Sequence, residues 1–360
     1  MTVLVYGGGG RTGQAVIRAL SARGASVVAA GRRRRDSSGR RTQEPWRVAS
    51  ADSSAELRAA FRGCEGVVQC ASLDERQSTN VAAAAVATGI PYVDVCADRD
   101  CQDAVRREVG KPAHRRDVSI CMGAAPIGGA LGEWLAAAAG DRAAARGERV
   151  RHLSLGYMSE GLPTSGGSLS SSVRMLLRRD SGSQNRTLCF PPPFGPQPAF
   201  AFPLGLGCLQ DRFPDATVES YAAMQLGPIQ PREVSAAVQW ARRFPVAPQL
   251  RGLVSTVVKA AASIDIARTA PGDLMFSVLA EASTSAYRSG LAIVATSPYE
   301  LTAWIATTIL ARLRRGACRA GVVGVADLLE PERVLETLAR RGFVRLYSRP
   351  VMSLYQAEAG

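Results

Sequence analysis

Residues 1–35 read MTVLVYGGGGRTGQAVIRALSARGASVVAAGRRRR. A short apolar run, Val3 to Tyr6, ends in Gly7-Gly8-Gly9-Gly10-Arg11-Thr12-Gly13, and a helical pattern follows with Val16, Ile17 and Leu20 on one face. A second apolar run, Ala25 to Ala30, ends in Gly31 and four arginines. Strand, glycine turn, helix, strand is the unit that seats a dinucleotide diphosphate on a helix N-terminus. Its glycines have separable duties. Gly7 permits the tight exit from the strand, Gly10 lets backbone N–H groups approach the diphosphate, and Gly13 lets helix and strand pack closely. The spacing Gly7/Gly10/Gly13 departs by one residue from the commonest fingerprint, and a glycine cluster alone marks many plain turns. The strand before it and the helix after it are what give this one meaning.

The end of the second strand bears on the choice of nucleotide. A unit that prefers NAD places Asp or Glu there, to accept from the ribose 2′-OH. This chain has Gly31-Arg32-Arg33, and its first acid, Asp36, comes several residues later. A guanidinium in that place grips a 2′-phosphate in a bidentate fork. The expected cofactor is therefore NADP(H), with Arg32 as the main contact. A solvated loop is the alternative for several of Arg33, Arg34, Arg35, Arg40 and Arg41.

At 360 residues the chain has material for two domains with separate cores. The net charge of +13 invites a nucleic-acid reading, which the composition opposes. Lys111 and Lys259 are the only lysines. Outside 32–41 the arginines are scattered, without interleaved aromatics. The eight cysteines (Cys64, Cys70, Cys96, Cys101, Cys121, Cys189, Cys208, Cys318) form no Cys-x-x-Cys pair. They read as reduced thiols of a cytoplasmic protein. The first strand starts at Thr2, which leaves no room for a signal peptide, and no uncharged apolar run reaches bilayer length. His114 and His152 are the only histidines, too few for a His-rich metal site or a Ser-His-Asp triad, so no metal is expected.

The pattern repeats along the chain. Trp46 to Ala49 reads as a third strand, then Asp52, then Ser53 with Glu56 as a capping box for a helix over 55–62. Gly66 to Cys70 is a fourth strand ending at Ala71-Ser72. Asn80 caps an alanine-rich helix that stops at Gly89. Tyr92 to Val95 is a fifth strand; Asp98 leads into a helix over about 100–109, and Val118 to Met122 is a sixth strand. Six strands alternating with helices describe a doubly wound parallel sheet over residues 1–125. Residues 126–297 are less regular. They hold a strand over 152–158, a Gly/Ser-rich stretch over 159–172, a proline-dense loop over 191–198 and helices over 231–244 and 250–266. An antiparallel pair follows at 274–281 and 290–296. Residues 298–360 add a long helix to about Arg315, a glycine loop with Gly316, Gly321 and Gly324, a helix ending at Arg341-Gly342, and closing strands over 344–355.

Several stretches together resemble the saccharopine dehydrogenase-like reductases: VLVYGGGGRTGQAV (3–16) with AAGR (29–32), GCEGVVQCAS (63–72), NVAAAAVATGIPYVDVCAD (80–98) and CMGAAPIGGALGEWLA (121–136). PTSGGSLSSSVRML (163–176), SPYELTAWIATTILARL (297–313) and GVVGVADLLEPERVLETLARRGF (321–343) continue the likeness. The resemblance implies a Rossmann domain that binds NADP, joined to a second α/β domain for substrate and dimerisation, with residues 298–360 packing back on both. It further implies a homodimer that reduces a C=N or related unsaturated bond in a small molecule. On this resemblance Gly7, Gly10, Arg11, Thr12 and Gly13 meet the diphosphate, Arg32 and Arg33 the 2′-phosphate, and Asp52 lies near the adenine. Ala71 and Ser72, with Cys96, Ala97 and Asp98, border the nicotinamide. The chain departs from the family where substrate is faced. Ser72-Leu73-Asp74 stands where Gly-Pro-Phe is common, Ala97-Asp98 where Gly-Glu is, and Ile127 where a glycine is usual. That drift fits a specialised biosynthetic role rather than lysine metabolism.

Hydride transfer asks the protein mainly for orientation, whereas imine or enone reduction also needs a proton from a group within hydrogen-bond reach. No tyrosine has a lysine four residues on, so the short-chain dehydrogenase pair is absent. Asp98 is the leading candidate acid, with helix N-cap as the alternative, and Tyr157 is the second, with packing as its alternative. Asp94 suits a structural hydrogen bond and Cys96 a buried thiol. Ser165, Ser168, Ser170 and Ser171 could bond a polar substrate or belong to a loop. Two functions stay open: an NADPH-dependent reductase of an imine, iminium or activated double bond, or a non-redox protein (cyclase, isomerase or sensor) that retains a dinucleotide site.

Overall fold

The strand-turn-helix pattern of the first residues continues as a layered sheet in the computed structural model, which describes residues 1–33, 44–161, 186–202, 204–225, 229–243, 274–316 and 318–349. The chain divides into two units, Met1–Ala130 with Tyr299–Glu330, and Leu131–Pro298 with Pro331–Gly360. In the first unit, strands β1 (Thr2–Tyr6), β2 (Ser26–Gly31), β3 (Trp46–Val48), β4 (Val67–Gln69), β5 (Tyr92–Asp94) and β6 (Ser119–Cys121) alternate with helices. These are α1 (Arg11–Ser21), α2 (Ser54–Phe61), α3 (Glu75–Thr88) and α4 (Arg99–Arg115). With β13 (Gly321–Val323) at one edge, the sheet runs β13-β6-β5-β4-β1-β2-β3 and every pair in it is parallel. Val3, Leu4 and Val5 have no solvent exposure, as expected of a central parallel strand covered on both faces. The order reverses at β1, which lies between β4 and β2. That reversal opens a crevice at the carboxyl ends of β1 and β4, the place where such sheets bind ligands.

The seventh strand, β13 (Gly321–Val323), occupies the stretch read from sequence as a glycine loop. Three residues between glycines carry too little pattern to identify, and only β6 beside it makes this a strand. Asn80 does not cap α3. Asp74 and Gln77 form a reciprocal capping box a turn and a half earlier, and the Asn80 amide instead donates to the Ala51 carbonyl at 3.0 Å. Gly89 does end that helix, at φ +72°. Helix α4 continues six residues beyond the expected end at 109, through Pro112, because its buried stripe of Cys101, Ala104, Val105 and Val109 extends to Ala113. At α2 the Ser53 hydroxyl accepts from the Glu56 N–H, but the Glu56 carboxylate turns to the Ser50 N–H, so the box is half formed. Helices α8 (Pro298–Arg314) and α9 (Val325–Leu328) complete the unit.

The second unit carries helix α5 (Ala130–Ala144) and a mixed sheet in the order β14-β12-β11-β7-β10-β9-β8. Its strands are β7 (His152–Glu160), β8 (Arg186–Phe190), β9 (Gly195–Ala201), β10 (Thr217–Gln225), β11 (Phe276–Ser283), β12 (Arg288–Ala295) and β14 (Val344–Arg349). Only β7 and β10 pair in parallel; the other neighbours are antiparallel. Helices α6 (Gly207–Arg212), α7 (Pro231–Arg243) and α10 (Pro331–Arg340) accompany them. The proline-dense stretch is the turn of the β8–β9 hairpin, and its Gly195 to Pro198 belong to β9 rather than to a loop. Strand β10 has no counterpart in the sequence reading. Its alternation is broken by Tyr221, Ala222, Ala223 and Met224, all buried, since the sheet is covered on both sides there. The expected helix over 250–266, the serines at 165–171 and the closing residues 350–355 lie outside the described residues.

One face of this sheet packs on α5, which is buried on every side from Ala130 to Gly140, with Leu131, Trp134, Leu135 and Ala136 fully buried. Contact is close at Gly132, where an added Cβ would lie 1.9 Å from the Tyr157 hydroxyl oxygen. The other face carries Met158, Leu188, Phe190, Tyr221 and Leu279. Gly132→Ala is expected to destabilise the protein by about 1–3 kcal/mol, the usual cost of overpacking. Adding Tyr157→Phe should recover part of that loss, because it removes the nearest atom but leaves the ring Cζ and Leu155 Cδ2, each 2.9 Å from the added Cβ. Urea denaturation of both single variants and the double variant measures the coupling, and an additive result would mean the contact is not tight.

Candidate functional site

The turn between β1 and α1 is built around three close approaches. Gly7 has φ +80°, and a Cβ there would lie 2.6 Å from the Ala71 nitrogen. A Cβ on Gly13 would lie 2.3 Å from the Gly7 carbonyl oxygen and 2.8 Å from the Gly8 Cα. Those two glycines are fixed by the protein's own packing. Gly10 differs: a Cβ there would meet only the Gly7 oxygen, at 3.4 Å. Gly10 is also the N-cap of α1, with no side chain to cap the helix and no acid in its first turn. The helix therefore presents uncapped N–H groups and the positive end of its dipole to open space, the arrangement that receives a diphosphate. Arg11 and Thr12, both partly exposed, flank that space, and the Gln14 amide braces the turn by donating to the Gly8 carbonyl at 2.6 Å.

Arg32 and Arg33 follow β2 directly and are exposed. Burial pushes the Tyr6 phenol up to about 12, while the Arg32 guanidinium lowers it and the Asp52 carboxylate raises it. Arg32 and Asp52 thus lie within electrostatic reach of one hydroxyl, which donates to the Ala49 carbonyl at 3.1 Å. Asp52 turns toward the first turn of α3, bonded to Arg76 and, at 3.3 Å, to the Gln77 amide. The ends of β2 and β3 carry a cation facing solvent and an acid already held by a partner. That combination suits a 2′-phosphate better than a free ribose diol.

At the ends of β4 and β5 the polar groups are buried. Gln69 and Asp94 have no solvent exposure. The Gln69 amide accepts from the Ala71 N–H and donates to the Ala71 carbonyl at 3.0 Å, which fixes the strand exit that Gly7 abuts. Asp94 accepts from the Tyr92 hydroxyl at 2.6 Å and from the Cys96 N–H at 2.7 Å. The Gln102 amide donates to the Cys96 carbonyl at 2.9 Å. Burial raises the Asp94 carboxyl to about 6 against those donors. Cys96 is raised by a hydrogen bond with Cys101 and by burial, and Cys70 by burial and Asp94. Neither thiol is a thiolate near neutral pH, so neither is a nucleophile.

Gly7, Ala71, Ser72, Cys96 and Ala97 therefore come together along adjacent strand ends. The two candidate acids fare differently. Asp98 is 4% exposed and serves as the N-cap of α4, its carboxylate accepting from the Asp100 N–H at 3.0 Å. Tyr157 lies in the second unit on β7, 3% exposed, its hydroxyl enclosed against α5 without a hydrogen-bond partner among the described residues. Burial, with the Glu133 carboxylate nearby, raises its phenol far above the usual range. Its environment is that of a packing residue, which is the alternative its sequence position offered. The sequence reading did not single out Gln69, Tyr92 and Gln102. Their one advance signal is a glutamine inside the apolar run GVVQC. Among the described residues no group of three or more His, Cys, Asp or Glu could hold a metal, and no helix is long and apolar enough to cross a membrane.

Comparison with known proteins agrees with this geometry. Residues 3–117 match the family model described as the saccharopine dehydrogenase NADP binding domain. No curated protein matches the chain. Among solved structures, the fold matches apo saccharopine dehydrogenase (L-Glu forming) from Saccharomyces cerevisiae with a TM-score of 0.60 at 12% identity, over 97% of this chain and 99% of that one. UDP-N-acetylglucosamine 4-epimerase from Bacillus cereus matches at 15% identity and a TM-score of 0.27, over 34% of this chain and 56% of that one. A Rossmann-fold NAD(P)-binding family protein from Shigella flexneri matches at 17% and 0.26, over 34% and 66%. These last two likenesses are too partial to carry an argument. The nucleotide of the first unit is NADP(H).

Two measurements follow. Arg32→Ala should weaken NADPH binding and leave NADH nearly untouched; a charge-assisted bond contributes about 1.5–3 kcal/mol, roughly ten- to a hundredfold. Arg33 can cover part of the loss, which favours the lower end. Equal weakening of both nucleotides in parallel titrations would dissociate Arg32 from the 2′-phosphate. For Asp94 the folded pKa of about 6 lies above the ordinary value of 3.8, so the folded state holds the proton more tightly. Its contribution to stability is full below about pH 4 and is lost as pH rises through 6. Denaturation from pH 4 to 7 should show that decline in the wild type and a flatter profile in Asp94→Asn.

Proposed function

We propose that this saccharopine dehydrogenase-like, NADP-dependent oxidoreductase uses NADPH to reduce an imine, iminium or activated double bond in a small metabolite, as one step of a specialised biosynthesis. The observation that carries the reading is the uncapped N-terminus of α1 above Gly10, joined to an exposed arginine in place of an acid after β2. In this reading Gly7, Gly10, Arg11, Thr12 and Gly13 hold the diphosphate, and Arg32 with Arg33 holds the 2′-phosphate. Asp52 stands on the adenine side, and Ala71, Ser72, Cys96 and Ala97 border the nicotinamide ring. The bound nucleotide supplies the hydride.

The residues of the strand ends orient and exclude water more than they move protons. Gln69 and Asp94 lock the exits of β4 and β5 through hydrogen bonds to Ala71 and Cys96. The Asp98 carboxylate holds the first turn of α4. An iminium carbon takes hydride without a proton from the protein, because the positive nitrogen accepts the displaced electron pair. That substrate class suits a site whose buried acids are engaged with backbone donors. The second unit is read as the substrate and dimerisation domain of a cytoplasmic homodimer. Ser72-Leu73-Asp74 and Ala97-Asp98 are the positions that set substrate choice.

Incubating the purified protein with NADPH and a panel of cyclic imines, iminium salts and enones tests this. The expected outcome is NADPH oxidation matched mole for mole by reduced product, fastest with the iminium members. Conversion of a substrate with the nucleotide unchanged would instead establish the non-redox alternative.

A further inference from the structure

The second unit contains a polar cleft of about 340 Å³ that the nucleotide chemistry does not use. It lies on the sheet face opposite α5, and every residue that lines it comes from β7, β8, β10, β11 or β12. Strand register places Ser154 of β7 directly between Glu219 of β10 and Glu281 of β11, in one row across three strands. His152 and Ser283 form the next row outward, and Arg288 pairs with Ser283 on β12.

The two carboxylates of the row are not equivalent. Glu219 is 3.1 Å from the Arg186 guanidinium, an ion pair between partly buried partners. Arg186 also stacks over the Tyr221 ring at 5.1 Å, which fixes it further. Glu281 is 5% exposed, and its nearest cation, Arg288, stops at 3.8 Å, beyond hydrogen-bond distance. Among the described residues the other oxygen, Oε2, has no hydrogen-bond partner, and neither has the Ser154 hydroxyl, 6% exposed. Burial holds the Glu281 carboxyl above its ordinary range. A buried carboxylate that lacks a donor costs stability. An unfilled hydroxyl beside it marks the same gap. Glu281 and Ser154 are both among the residues that line the cleft.

What the gap lacks is a donor with positive charge. We propose that this cleft is a second small-molecule site, which binds a hydrophilic primary amine through an ammonium group seated between Glu281 and Ser154. An ammonium offers three N–H donors to Glu281 Oε2, Ser154 Oγ and one further acceptor. A quaternary ammonium has the charge and no donor. The cleft falls within the volume range of small-ligand sites, and the side chains of its lining residues all carry polar or charged groups.

The test uses the full chain, with ethanolamine hydrochloride as probe and tetramethylammonium chloride and sodium chloride as controls at equal ionic strength. Ethanolamine should raise the thermal midpoint of the wild type saturably, and the controls should not. Glu281→Gln should weaken the response at least tenfold while leaving the ligand-free protein as stable as wild type or more so, and Ser154→Ala should weaken it severalfold. NADPH binding should be unchanged in both variants. If Glu281→Gln does not fold, its loss of stability makes the Glu281–Arg288 pair a structural one and overturns the proposal. A wild type that responds no more to ethanolamine than to sodium chloride overturns it too, as does an undiminished response in Ser154→Ala.

Discussion

The first unit depends on how closely the backbone of Gly13 approaches that of Gly7. With a Cβ on Gly13 only 2.3 Å from the Gly7 oxygen, α1 can start where it does only because that atom is absent. The contact sets the height of the helix N-terminus above the end of β1. It also aims the uncapped N–H groups across Gly10, which the protein leaves in more open surroundings than Gly7, Gly8 or Gly13. A site that binds a dianion by backbone donors needs those donors unfilled, and an N-cap side chain would fill them. The missing cap is destabilising for the helix alone and useful for the site.

The neighbouring strand exits are fixed by the opposite strategy. Gln69, Tyr92, Asp94 and Gln102 form a closed network without solvent contact at its centre, and its backbone partners include Ala71 and Cys96 at the strand exits. Such a network is stable only when nearly every donor and acceptor is matched. It leaves Ala71 and Cys96 with little freedom. In the proposed function the task of this edge is positional, because hydride donor and acceptor must meet at the right angle and distance.

Element type was legible in the sequence wherever the apolar period was long and the boundary residues were chemically distinct. Gly89 ended its helix as expected, and Asp98 began the next one as the N-cap that stood as the alternative to a catalytic role. The errors have physical causes. Asn80 looks like a cap by residue type, but the capping box at Asp74 and Gln77 wins because it satisfies two donors at once. Strand β13 is three residues whose only support is a neighbour about two hundred positions away. Tyr157 precedes a polar, glycine-rich stretch, a context that left both proton donation and packing open. Its burial follows from Gly132, a contact no local pattern encodes. The glycine turn and the arginine after β2 were readable because each depends on backbone geometry or charge at a fixed offset from a strand. The buried network was not, because its members are joined by strand order rather than by spacing.

The two units meet the problem of a charged ligand from opposite signs. In the first, the positive field comes from backbone dipoles and from arginines that stay solvated, so selectivity for a phosphorylated nucleotide needs no buried charge and little loss of stability. In the second, Glu281 is withdrawn from water beside a hydroxyl, and the nearest cation stands just too far to close a bond. A surface pair at that spacing would be unremarked, since both partners would be hydrated. At 5% exposure water cannot fill the role as readily, and the unmet acceptor is a standing cost. Packing could have removed it with a leucine or a glutamine on the same strand. The retained carboxylate is therefore better explained by a ligand that completes it than by the fold that surrounds it.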